Sequence, residues 1–303
     1  MKKRQLGKSD LFVSELGLGC MSLGTDAKNA TAIIEAALVE GINYFDTADL
    51  YDFGQNEQLV GQALKTVRDQ VIIATKVGNR WNEQKNGWSW DPSKKYIKEA
   101  VKGSLKRLGT DYIDLYQLHG GTIEDPIEDT IEAFEELKAE GLIRYYGISS
   151  IRPNVIREYI KKSNIVSVMM QHSILDRRPE EEMLPLIHEK GIGVVTRGPL
   201  AKGILSGKTL EKAAKSGYLD YNFEELQVTI SKLREKLTDL YSLTEIALQY
   251  NLADPAVSSV IAGASSVEQL KENAKAVRAN PLTKNEIAII QAISKSNQYD
   301  QHR

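Results

Sequence analysis

In the stretch GINYFDTADLY, residues 41–51, a β-rich run gives way to a loop and leaves Asp46 and Tyr51 five residues apart. Two more residues of chemical interest close apolar runs further on, Lys76 in VIIATKV and His119 after YIDLYQL. A phenol titrates near pH ~10 in water and is a poor proton donor at neutral pH unless its anion is stabilised. An ammonium beside it supplies that stabilisation, and a carboxylate beside the ammonium fixes its position and keeps it charged. A nearby imidazole can orient a substrate oxygen or relay a proton. Together these residue types make a tuned general acid facing a carbonyl oxygen, as carbonyl reduction requires. Alone, each has an ordinary reading: Asp46 as a turn or cap residue, Tyr51 as core or rim, Lys76 as a solvated charge, His119 as a structural hydrogen-bonder. Their coincidence at one rim, on three consecutive units, is what points to chemistry.

That rim depends on the elements that carry it. Short apolar runs at 15–18, 42–46, 71–77, 112–118, 143–148, 166–171, 193–196 and 257–261 read as strands. Helical patterns lie at 29–40, 56–65, 92–108, 126–139, 154–162, 180–189, 243–250 and 267–277. Pro92 and Pro126 suit first turns, and Gly41, Gly109, Gly141 and Gly191 suit helix C-termini. Such alternation demands a parallel sheet covered by helices, which points to a (β/α)8 TIM barrel. An open doubly wound sheet is the rival. It lacks support, because no GxGxxG follows the first strand and GLGCMSLG has the wrong spacing.

An N-terminal β-hairpin over residues 1–14, turning at Gly7 to Asp10, is expected to cap the barrel bottom. One barrel domain is expected to span 1–303, with a long loop at 199–222 over the site and a C-terminal helix and tail at 282–303. The active site of a barrel lies at the C-terminal strand ends. There strand two offers Asp46 and Tyr51, strand three Lys76, strand four His119, strand five Ser149 and Ser150, strand six Gln171 and strand seven Arg197. Period-two alternation puts Asp46 on the face of Ile42 and Tyr44, and Lys76 on that of Ile72 and Ala74, within ion-pair reach of each other.

Composition excludes several classes. Net charge −2 argues against nucleic-acid binding, which wants a basic stripe. The basic start, MKKRQLGKSD, has no continuous apolar stretch after it, so no signal peptide is expected, and no run reaches the ~18 apolar residues of a membrane span. The one cysteine, Cys20, precludes an internal disulfide and fits a reducing, cytoplasmic setting. The histidines at 119, 172, 188 and 302 form no metal motif, so no metal site is expected; His172, one residue past Gln171, should face away from the rim. Without heptads or an isolated apolar helix face, a monomer is expected.

The segments GINYFDTADLYDFGQNE, IIATKV, DYIDLYQLH, IRYYGISS, MQHS, GPLAKGILSGK and VIAGASSVEQLKENAKA, in this order from about residue 3 to 290, resemble the aldo-keto reductase family. The resemblance implies a nicotinamide cofactor, NADPH rather than NADH, a small-molecule carbonyl substrate, and a tetrad that falls on Asp46, Tyr51, Lys76 and His119. Tyr51 would be the general acid in reducing aldehydes and ketones to alcohols by hydride transfer. Cofactor contacts would come from Met21 and Asp46, and from Ser149 and Gln171 at the nicotinamide carboxamide. Arg197, Gly198, Leu200, Lys202 and Gly203 would follow the pyrophosphate. Gly263, Ser265, Ser266, Gln269, Glu272 and Asn273 would meet the adenosine end.

Some positions depart from the family pattern. Ser150 stands where Asn is common, Arg197 where a ring often stacks on nicotinamide, and Gly263 and Gln269 where Lys and Arg often meet a 2′-phosphate. Ser265, Ser266 and helix-start N–H groups remain as phosphate donors. Gly120 and Gly121 after His119 imply a bare pocket floor, and the short tail an open pocket of broad specificity. An alternative is a nicotinamide-binding regulatory protein, like a channel β subunit, with slow turnover. A metal-dependent hydrolase or isomerase using Asp46 and His119 is a third reading. The intact tetrad favours the reductase.

Overall fold

The computed structural model describes residues 1–206 and 215–303. The 207–214 part of the expected 199–222 loop lies outside the described residues. Strands β1 (Lys3–Gln5) and β2 (Phe12–Ser14) pair antiparallel as the N-terminal hairpin. Then β3 (Leu16–Gly19), β4 (Tyr44–Asp46) and β5 (Ile72–Val77) run parallel. A second antiparallel hairpin, β6 (Asn79–Trp81) with β7 (Trp88–Trp90), follows β5. Strands β8 (Ile113–Leu118), β9 (Ile143–Ser149), β10 (Ser167–Gln171), β11 (Gly193–Arg197) and β12 (Val257–Gly263) complete the parallel set. Pairing of β12 with β3 closes an eight-stranded barrel.

Helices α1 (Ala27–Val39), α2 (Gln55–Leu64), α3 (Lys94–Leu108), α4 (Ile127–Ala139), α5 (Pro153–Lys162) and α6 (Met183–Glu189) connect the strands up to β11. Between β11 and β12 come α7 (Phe223–Leu237) and α8 (Leu243–Leu252); α9 (Val267–Val277) and α10 (Lys284–Ile293) follow β12. This is a (β/α)8 TIM barrel with an N-terminal hairpin. No helix among the described residues is long and apolar enough to cross a membrane.

Alternation along the strands sorts side chains between two cores. Tyr44, Ile72, Ala74, Leu115, Met169 and Val195 cluster inside the barrel with Leu6, Leu11 and Val13 of the hairpin. Phe45, Ile73, Val77, Tyr116, Val168 and Val194 pack outward against the helices. Each buried Val, Leu, Ile, Phe or Met among them stabilises the fold by about 1.5–3 kcal/mol relative to exposure. The hairpin closes the N-terminal end: Gly7, at φ +56, approaches so closely that a Cβ would lie 2.3 Å from Val166 O and 2.9 Å from Gly193 N. Only glycine fits there.

One sequence expectation needs correction. Ile42 does not share Asp46's face; β4 begins at Tyr44, and Ile42 belongs to the outer core. The expected 199–222 segment is followed by a regular helix, α7, that lies outside the helical patterns read from the sequence; it is capped by Asn222 and Glu225 and buried through Leu226, Ile230 and Leu233.

Candidate active site

On β4, Tyr44 faces in and Phe45 out, so Asp46 faces in at the strand's C-terminal end. Asp46 pairs in register with Ala74, which sets Lys76 one inward layer higher on β5. The lysine side chain therefore reaches back. Its Nζ donates to Asp46 Oδ2 and to Thr47 O, both at 2.7 Å, and the residue is only 1% exposed. Past Asp46 the chain enters a short turn in which Asp52 and Phe53 take left-handed φ values of 49° and 51°. Non-glycine residues hold such conformations at a cost, and they cluster at functional sites. This turn presents Tyr51, whose Oη lies 3.4 Å from Lys76 Nζ.

The fourth residue comes from the end of β8. The His119 N–H donates to Val77 O at 2.8 Å, and its ring meets that of Tyr51 edge-on at 5.9 Å and 83°. His119 Nδ1 is buried without a hydrogen-bond partner among the described residues. Asp46, Tyr51, Lys76 and His119 thus share one barrel mouth.

Burial works against the Lys76 ammonium, but the charge of Asp46 and contact with Tyr51 outweigh it and raise its pKa. Burial raises the Asp46 carboxyl, with Lys76 and Gln117 pulling it back. His119 is pushed down to about 3 by burial and by the charges of Lys76 and Arg197. Its imidazole is therefore neutral at physiological pH, a hydrogen-bonding group and not an acid.

The floor beside His119 is not bare. The Trp90 ring lies across it: a Cβ on Gly78 would be 2.5 Å from Trp90 Cζ3, and one on Gly120 3.4 Å. Asp125 holds the indole, whose Nε1 donates to Oδ1 at 3.0 Å and Oδ2 at 3.1 Å. The glycines make room for an aromatic wall.

A polar rim continues from β9 to β12. Ser149 ends β9, and Gln171 and Arg197 pair at the ends of β10 and β11, with Arg197 Nη1 donating to Gln171 Oε1 at 2.8 Å. Gly198, Lys202 and Gly203 have positive φ around Leu200. Gly263 ends β12 so close to the turn after β3 that a Cβ would lie 2.5 Å from Ser22 Oγ; Met21 in that turn is 66% exposed. Ser265 donates through both N–H and Oγ to Gln269 Oε1 at 3.0 Å, and Ser266 caps α9. Asn273 Nδ2 donates to Gly263 O at 3.3 Å, and Glu272 accepts from Thr244 Oγ1 at 3.4 Å. Two donors converging on one acceptor at a helix start suit a phosphate oxygen, and Arg197 adds a cation, so the donor set fits an extended, anionic dinucleotide.

His172 faces out, bonded to Asn251 and Glu180. Among the described residues no group of three or more His, Cys, Asp or Glu side chains could hold a metal ion.

A model of the Aldo/keto reductase family matches residues 15–295. The chain belongs to the aldo/keto reductase family. It is 62% identical to the "Uncharacterized oxidoreductase YqkF" of Bacillus subtilis (strain 168), with each chain fully covered. It is 34% identical to the "NADH-specific methylglyoxal reductase" of Escherichia coli (strain K12), over 92% of this chain and 94% of that one. Among solved structures it is similar to the holo form of aldo-keto reductase AKR11C1 from Bacillus halodurans, with TM-score 0.96, 63% identity, and coverage of 100% and 99%.

This aldo-keto reductase also uses residues that motif reading passed over. Gln117 Nε2 donates to Asp46 Oδ1 at 3.5 Å. The signal was the inward column Leu115, Gln117, His119. Asn56 accepts from Thr47 Oγ1 at 2.7 Å and donates to Cys20 O at 2.8 Å, which fixes the carbonyl that holds Lys76.

Proposed function

We propose that this oxidoreductase reduces aldehydes and ketones to alcohols with NADPH, Tyr51 giving the proton. The observation that carries the reading is the chain of contacts from Asp46 Oδ2 through Lys76 Nζ to Tyr51 Oη, at 2.7 and 3.4 Å. When bound, the cofactor supplies the hydride. Tyr51 Oη passes its proton to the carbonyl oxygen as negative charge gathers there. The Lys76 ammonium stabilises the phenolate left behind, and Asp46 keeps that ammonium charged and in place. A neutral imidazole N–H of His119 orients the carbonyl, and Trp90 supplies an apolar wall for the rest of the substrate.

Ser149, Gln171 and Arg197 would hold the nicotinamide end, with Asp46 and Met21 beside it. The 198–203 backbone would follow the pyrophosphate. The loop from Gly263 to Gln269, with Glu272 and Asn273, would take the adenosine. Ser265 and Ser266 at the start of α9 support NADPH. The relative named as NADH-specific makes NADH the comparison to run. A monomeric, cytoplasmic protein with one barrel domain is part of the same proposal.

The test is an initial-rate panel of aldehydes and ketones with NADPH and NADH in parallel. The proposal predicts carbonyl-dependent oxidation, faster with NADPH at low cofactor concentration. No carbonyl-dependent oxidation of either cofactor would overturn it.

A further inference from the structure

Gln171 and Arg197 continue the inward phases of Met169 on β10 and Val195 on β11, and Gln171 is held from both sides. Its Nε2 donates to Asp176 Oδ2 at 2.8 Å and to Tyr218 Oη at 3.3 Å, while its Oε1 accepts from Arg197 Nη1 at 2.8 Å. Asp176 is fully buried, and Arg178 donates to both its oxygens, Nε to Oδ1 at 2.7 Å and Nη2 to Oδ2 at 2.8 Å. Arg178 Cζ lies in turn 5.0 Å from the Tyr299 ring centroid. Asp176 and Ser173 exchange backbone hydrogen bonds at 3.0 and 3.1 Å. Asn297 ties this turn to the C-terminal tail, accepting from the Arg177 N–H at 2.7 Å and donating to Leu175 O at 3.2 Å.

These groups give the chain of bonds a direction. A carboxylate only accepts and a guanidinium only donates, whereas an amide side chain does either according to how it is turned. Asp176 therefore draws the Gln171 NH2 toward itself, which leaves Oε1 facing Arg197. A reversed amide would set its NH2 against the guanidinium and its oxygen against the carboxylate, so that two attractive contacts become repulsive.

We propose that Asp176 is a positioning residue for the cofactor: held by Arg178, it sets the direction of the Gln171 amide and so fixes the Arg197 guanidinium at the nicotinamide end. This deepens the reading of Gln171 and Arg197 as nicotinamide contacts and rests on it. Asp176 acts only through Gln171.

The test is a double-mutant cycle on the full chain, with NADPH dissociation constants from fluorescence titration of wild type, Asp176→Asn, Arg197→Ala and the double variant. The amide placed at 176 would turn its oxygen to Arg178 and its NH2 to Gln171, which favours the reversal. Asp176→Asn should weaken NADPH about tenfold, the scale of a hydrogen bond to a charged group, but by less than about twofold in the Arg197→Ala background. In initial rates the loss should fall on KM for NADPH and not on kcat, a split that general loosening of the fold would not give. An Arg197→Ala chain that binds NADPH like wild type would overturn the nicotinamide reading of this end, and the proposal with it. An unchanged dissociation constant for Asp176→Asn, or an equal effect in both backgrounds, would overturn the positioning role and leave that reading intact. Should Asp176→Asn fail to fold, the same cycle is run with Asp176→Asn and Arg178→Gln together, which removes both charges of the pair and strands neither.

Discussion

Lys76 Nζ stands 3.4 Å from Tyr51 Oη while Asp46 Oδ2 holds it at 2.7 Å, so one buried cation serves both a carboxylate and a phenol. Lys76→Met should remove both services. Turnover should fall about 10²–10⁴-fold, and stability by about 3–5 kcal/mol because Asp46 is left buried and unpaired. Adding Asp46→Asn should restore most of the stability and none of the turnover. Urea denaturation and initial rates on the same preparations check both halves.

His119 carries a pH signature. Its folded-state value of about 3 lies below the ~6.5 of an unfolded histidine, so the unfolded chain binds the extra proton. The associated stability is full above pH ~6.5 and is lost as pH falls from there toward 3. Denaturation midpoints between pH 7 and 5 should therefore drop more steeply for wild type than for His119→Gln. Parallel slopes would mean an unperturbed imidazole.

Trp90 should set the size and polarity of the substrate. With its ring laid across Gly78 and Gly120 beside His119, Trp90→Ala should raise KM for aromatic aldehydes by about tenfold and leave small aliphatic ones nearly unchanged. Kinetics on one aldehyde of each kind decide it.

Gln269 Oε1 occupies the two Ser265 donors, and the residue brings no charge to the loop. Gln269→Arg should tighten NADPH about tenfold or more, the scale of a charged hydrogen bond, while NADH affinity stays constant. Fluorescence titration of both cofactors would show it.

Much of this architecture is legible in the sequence because a buried parallel strand must be apolar on both faces, and VIIATKV or IDLYQL is hard to mistake. Asp46, Lys76 and His119 are legible for a related reason: a polar residue ending such a run on its inward phase has only the barrel mouth to face, whereas Tyr51 sits in the turn beyond β4 and is read from its spacing to Asp46. Hairpin β6–β7 is not legible, since its strands are three residues each and largely exposed. The Gly120 pair misleads, because a glycine cannot say whether it leaves space or yields it to a distant Trp90. Helix α7 had its signal in Asn222, Glu225 and the Leu226, Ile230, Leu233 spacing, hidden behind a glycine-dotted stretch.

The central claim is that Tyr51 is the proton donor, and Tyr51→Phe tests it most directly. Turnover of a reactive aldehyde would be measured at saturating NADPH, together with the NADPH dissociation constant. The account predicts a fall in kcat of about 10²–10⁴-fold with the dissociation constant unchanged. A Phe variant that kept half the wild-type turnover would contradict it.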